Sequence, residues 1–155
     1  LFARRSDVHL LNSENPQGMD AVNLLPSLDP YVMGYKDRER YIPLKHWSRI
    51  FDFAGNSTST ILVDGTVVGV WDYAQDPEST IKLFFFEKIT GSLRDSIYSE
   101  ASRTGRFISD RKVKVEECVR MIPLTERTAG GVMTPLKEAT KRRRNSREER
   151  RNQKE

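Results

Sequence analysis

Two runs of β-branched residues, Ser59 to Val63 and Thr66 to Trp71, meet at Asp64-Gly65. A two-residue type I′ turn needs positive φ at both central positions, and Asp-Gly meets that need at little steric cost. A hairpin is therefore expected. Turn-centred register would set Val63 opposite Thr66, Ile61 opposite Val68 and Ser59 opposite Val70 on one face, with Leu62 opposite Val67 and Thr60 opposite Gly69 on the other. Gly69 in mid-strand marks a bulge or a close approach, and a neighbouring strand or Trp71 covering it is the favoured reading.

The residues around the hairpin supply further elements. Val22 to Leu25 reads as a short strand stopped by Pro26, and Val8 to Leu11 as another, followed by the turn formers Asn12 to Gly18. Asp29-Pro30 opens a single helical turn, with Asp29 capping and Gly34 closing it. Pro43 opens a second short helix that should turn Leu44, Trp47, Ile50 and Phe51 inward. Strict alternation in Ile81 to Phe86 predicts a strand covered on both faces. Ser92 to Thr104 has helical spacing through Ile97 and Ala101 and is expected to stop at Gly105. The interrupted apolar run Lys112 to Leu124 reads as an exposed strand returning to the sheet. The expected fold class is α+β, mostly β, with a central Asp-Gly hairpin and two or three short helices.

Charge separates this body from the end of the chain. Lys141 to Glu155 contains eight Lys and Arg against three Glu, a net of +5, so the other residues carry 18 basic against 19 acidic side chains, a net of −1. A pI of about 9.3 thus describes the end of the chain and not the body. Residues 1–138 are expected to form one β-rich domain and 139–155 a basic tail that, with no apolar face to bury, is expected to be disordered or only partly helical. Cys118 is the only cysteine, which excludes an internal disulfide and fits a cytoplasmic protein. No apolar run approaches a membrane span, and no signal peptide is visible. Leu at position 1 reads as a piece of a longer chain or a processed one.

Catalytic and metal-binding patterns are sparse. His9, His46 and Cys118 lack metal-ligand spacing, no phosphate-cradling glycine motif occurs, and Ser, His and Asp are not arranged as a recognisable triad. No metal or cofactor is expected. Phe84 to Phe86 are read as core in preference to a base-stacking platform, because Lys82 is the only cation on that strand. Cations gather instead around Tyr35 and Tyr41. Lys36, Arg38, Arg40, Lys45 and Arg49 are the candidate phosphate contacts, with Arg142, Arg143 and Arg144 in the tail. Asp37 and Glu39 alternate with three of these, so a self-neutralised surface competes equally. An internal Asp37–Arg38 pair is preferred to a phosphate contact by Arg38.

Leu24-Leu25-Pro26-Ser27-Leu28-Asp29-Pro30-Tyr31-Val32-Met33-Gly34-Tyr35-Lys36-Asp37-Arg38 resembles a signature of the AlkZ-like winged-helix DNA glycosylase family. Phe53 and Gly55 follow in the family's order, and Val63 to Trp71 is similar to its hairpin motif, so Asp29, Tyr31, Gly34, Tyr35, Asp37, Arg38, Asp64, Gly65, Gly69 and Trp71 are the motif positions. The resemblance implies a parent that removes alkylated or crosslinked bases by hydrolysing N-glycosidic bonds. It also implies tandem winged helices upstream, with this chain as the C-terminal β-barrel-like or winged-helix-associated domain. The family's Gln-x-Gln or Gln-x-Asp catalytic motif is absent from these residues. A duplex-DNA-binding part without catalysis of its own is the expected function. The alternative is a packing module that supports the winged helices and never touches DNA.

Overall fold

The computed structural model describes residues 21–75, 78–89, 91–126 and the backbone of 133–135. The expected strand at Val8 to Leu11 and the basic tail, with Arg142, Arg143 and Arg144, lie outside the described residues, as does His9. Five strands form one mixed sheet in chain order: β1 (Val22–Leu25), β2 (Thr60–Val63), β3 (Thr66–Ala74), β4 (Thr80–Phe85) and β5 (Lys114–Met121). A short β6 (Met133–Pro135) pairs antiparallel with the far end of β5. Neighbours are antiparallel except β4 and β5, which run parallel. A parallel pair needs a long crossover, and helix α3 (Gly91–Ser109) supplies it. The chain is α+β as expected. Among the described residues the strand order is open, so the sheet is not the closed barrel that the family resemblance implied.

Asp64 and Gly65 have φ of 49° and 78°, the two positive values that the hairpin turn requires. Pairing follows the expected register through Val63↔Thr66 and Leu62↔Val67, then shifts to Ile61↔Gly69 and Thr60↔Val70. Val68 is the extra residue of a bulge. Val67 and Val70 are both buried in the same core, three residues apart, which strict alternation forbids and one inserted residue permits. The bulge therefore carries Trp71 to the face of Ile61 and Val63, opposite to the expected side. Gly69 is also a close approach: a Cβ there would lie 2.5 Å from the Phe84 carbonyl oxygen and 3.3 Å from Ile61 Cδ1.

Two apolar cores result, one on each face. On one face Leu62, Val67, Val70, Cys118 and Met121 meet Val32, Tyr41, Ile42, Ile50 and Phe51, contributed by the loops between β1 and β2. On the other, Ile61, Val63, Trp71, Ile81 and Leu83 meet Ile97 and Ala101 of α3. Phe84 and Phe86 pack against the first core and Phe85 against the second, so the triple phenylalanine serves both faces. Helix α3 does not stop at Gly105. Gly105 is a packing residue: a Cβ would sit 2.9 Å from Val113, and the helix ends instead where Asp110 takes φ 52° and donates its N–H to the Arg106 carbonyl.

The loop between β1 and β2 carries helix α1 (Pro30–Met33) and helix α2 (Trp47–Ile50). Asp29 caps α1 by accepting from the Tyr31 N–H at 2.8 Å, and Gly34 closes it on the Pro30 carbonyl. Before α2 the chain makes a 3₁₀ turn over Leu44–His46. Because that turn has about three residues per turn, the α-helical phase assumed from sequence does not hold. Ile50 and Phe51 are buried as expected, but Leu44 and Trp47 are exposed, and His46 takes the inward place.

Candidate nucleic-acid interface

Tyr31, Tyr35 and Tyr41 form a contiguous aromatic cluster on the β1–β2 loop, with ring centroids 5.3 to 6.3 Å apart. Tyr41 is buried and donates its hydroxyl to the Val32 carbonyl at 3.2 Å. Burial raises its pKa, more than Arg38 nearby lowers it. Tyr35 is half exposed and makes the outer wall of the cluster. Tyr31 leans the other way and donates its hydroxyl to the Gly65 carbonyl at 3.0 Å, which ties the loop to the tip of the hairpin.

Arg38 is held from three sides. Its Nε donates to the Tyr35 carbonyl at 2.9 Å, its Nη2 to the Met33 carbonyl at 3.0 Å, and its guanidinium lies 4.7 Å above the Phe51 ring. Trp47 flanks it at 5.8 Å. The expected ion pair with Asp37 does not form. Carbonyl oxygens and ring faces satisfy the cation instead, so Asp37 is left exposed.

The remaining cations divide into two kinds. Lys45 pairs with Glu87 across the surface. Arg49 lies 5.9 Å above the Phe84 ring with a buried Nε that meets no hydrogen-bond partner among the described residues. Lys36 and Arg40 are exposed and make no ion pair with any described residue. The structure thus holds Arg38 against Tyr35 and leaves Lys36 and Arg40 exposed on the same loop, while Lys45 and Arg49 serve the adjoining 3₁₀ turn and core.

Motif positions elsewhere also have internal partners. Trp71 Nε1 donates to the Leu25 carbonyl at 2.8 Å, joining β3 to β1, and Asp64 Oδ1 accepts the Ala21 N–H at 3.0 Å. Cys118 is buried, and desolvation pushes its thiol up to about 12, far from a nucleophilic thiolate at neutral pH. His46 was missed as a core residue by sequence. It stacks on Phe86 with centroids 4.1 Å apart, and its ring nitrogens reach no partner among the described residues. Burial, then Lys45 and Arg49, lower its pKa against the pull of Glu87. The alternation of polar and apolar residues around Pro43 carried no signal for this.

The sequence model of the family described as DNA glycosylase AlkZ-like matches residues 3–107, more than half of the chain. The chain belongs to the AlkZ-like DNA glycosylase family. Both of its motif segments, Leu24 to Arg38 and Val63 to Trp71, lie inside the matched range, and in the AlkZ-like fold described here they meet through the Tyr31 hydroxyl and the Gly65 carbonyl. Among solved structures, the Streptomyces sahachiroi DNA glycosylase AlkZ is similar with a TM-score of 0.57 at 20% identity, over 73% of this chain and 29% of that one. The likeness is one of fold, and the chain spans under a third of that protein's length. No curated protein matches by sequence. No helix among the described residues is long and apolar enough to cross a membrane.

Proposed function

We propose that this AlkZ-like chain is a DNA-engaging part of a base-excision repair protein and holds no catalytic centre of its own. The reading is carried by Lys36 and Arg40, exposed on the loop that bears the half-exposed Tyr35 and without acidic partners among the described residues. Such a cluster contacts duplex phosphates and sugars without reading sequence. Membership of a DNA glycosylase family supports DNA as the partner, and a position behind winged helices is the setting that the resemblance of the motif segments implies. Hydrolysing an N-glycosidic bond requires a pocket for an extruded base and a positioned water, and the Gln-x-Gln or Gln-x-Asp motif that the family resemblance ties to this step is absent from the sequence.

The test is duplex binding by the whole chain as a function of salt. Lys36→Glu combined with Arg40→Glu should weaken binding and reduce the salt slope by about two phosphate contacts, with the melting temperature unchanged. Alkylated duplex should lose no bases on incubation with the chain alone. An unchanged salt slope in the double variant would overturn the interface.

A second reading, a packing module for the winged helices, draws on a different place. Leu24, Leu25, Pro26, Trp71, Phe107 and Ile108 line an open groove of about 550 Å³ between β1 and the end of α3, and Phe107 is 91% exposed. Phe107→Ser would then leave DNA affinity intact and weaken cohesion with upstream domains in the full-length parent.

A further inference from the structure

Phe53 stands 88% exposed at the tip of the turn between Asp52 and Asn56. An exposed phenylalanine on a loop is unremarkable when the loop is loose, and this one is closed by bonds from both ends. The Asn56 N–H and side-chain amide donate to the two Asp52 carboxylate oxygens at 2.8 and 3.0 Å. The Asp52 N–H donates to the Asn56 carbonyl at 3.0 Å, and the Gly55 N–H to the Asp52 carbonyl at 3.1 Å. Gly55 takes φ 82°, which a side chain there would strain. Below the turn, Phe51 pairs with Ser57 and is fully buried, so the base of the turn is fixed to the core.

A second exposed apolar residue is tied to the base of the same turn. Leu28 donates its N–H to the Ser57 carbonyl at 3.1 Å, has φ 61° and is more than half exposed. The left-handed region is strained for leucine, and strain of this kind collects where a side chain must be aimed. The Asp52 carboxylate, engaged by Asn56, lies at the base of the turn and leaves the ring of Phe53 at its tip.

We propose that Phe53, supported by Leu28, is a wedge that inserts between stacked bases of duplex DNA. The inference rests on the DNA-engaging reading above and extends it from phosphates to the base stack. Phe and Leu are among the side chains that unstack a base step, and a rigid carrier lets a wedge enter without losing loop entropy on binding. The same loop carries Lys36 and Arg40, exposed and without an ion pair among the described residues, which supply phosphate attraction on the segment that bears the turn.

The experiment uses the whole chain and a short duplex carrying 2-aminopurine, whose emission rises when its stacking is broken. Wild type should raise the emission; Phe53→Ala should abolish the rise and lower affinity about tenfold, within the usual range for one stacked base. Phe53→Trp should restore both, and the melting temperature of Phe53→Ala should match wild type. If Phe53→Ala retains the emission change and affinity while Lys36→Glu weakens binding, the wedge is overturned and the DNA reading stands. If wild type binds no duplex, both fall. Self-association that vanishes in Phe53→Ala, with DNA binding untouched, would assign the tip to protein contact and overturn the wedge.

Discussion

The Tyr31 hydroxyl and the Gly65 carbonyl, 34 residues apart in sequence, meet at 3.0 Å and join the two motif segments of the chain. Tyr31 is partly exposed, so the bond competes with water. Tyr31→Phe should therefore cost only about 1 kcal/mol of stability, seen as a small drop in urea midpoint with an unchanged slope. A loss several times larger would show that the bond also holds the loop in place.

Gly69→Ala should be far more costly. Its Cβ would collide with a backbone oxygen of β4, which cannot rotate away, so about 3 kcal/mol of destabilisation is expected from overpacking. Gly105→Ala meets the side chain of Val113 instead, and pairing it with Val113→Ala, which removes the two Cγ contacts and leaves the Cβ at 2.9 Å, should recover only part of the loss. Thermal unfolding of the four proteins checks both statements.

Arg38→Ala should lower stability by about 2 kcal/mol, since two carbonyl bonds and a ring contact are removed together. If Arg38 acts through the fold and not through phosphate, the salt slope of duplex binding stays the same below the melting temperature. A shallower slope would place Arg38 on the DNA.

His46 makes stability depend on pH. Its folded pKa lies below the ordinary 6.5, so between the two values the unfolded chain binds the proton that the folded chain refuses. Stability contributed by the neutral ring is therefore present above about pH 6.5 and is lost as pH falls toward the folded pKa. Melting temperatures should be level from pH 8 to about 7 and decline below it. His46→Phe should flatten that decline.

Deleting the chain after Thr140 should weaken duplex binding and make its salt dependence shallower, because the net charge of +5 over Lys141 to Glu155 is removed. Melting temperature should not move. A drop in melting temperature would mean that the segment packs on the domain.

The residues of the hairpin turn and of the Asp29-Pro30 helix declare themselves locally, since φ preference and capping act over one or two peptide units. Alternation in Ile81 to Phe86 was equally plain, because both faces of β4 are covered. Gly69 signalled a bulge or a close approach, and both occur there, but that Val68 is the extra residue was not legible, since it answers a demand of the far core, that Val67 and Val70 share a face. Nor was the exposure of Leu44 and Trp47, which depends on a 3₁₀ turn in place of an α-turn. At the candidate site, the run of cations between Tyr35 and Tyr41 is plain in the sequence. The division between Arg38, held by carbonyls, and Lys36 and Arg40, left outward, depends on where Met33 and Phe51 lie in space. Asp37 beside Arg38 suggested a pair that the backbone geometry does not make.

The sheet keeps its strands in chain order, and β2, β3 and β4 follow one another through a hairpin and a short turn, while β1 reaches β2 only over the long loop that carries α1 and α2. The β4–α3–β5 crossover must in addition bring a strand back parallel across the length of a 19-residue helix. Refolding should therefore divide into a fast phase that zips outward from Asp64-Gly65 and a slower one set by that crossover and by closure of the β1–β2 loop. A ribosome releasing this chain would expose the lower edge of β4 until Met121 had emerged, leaving the nascent hairpin sheet in need of protection from its neighbours for that interval.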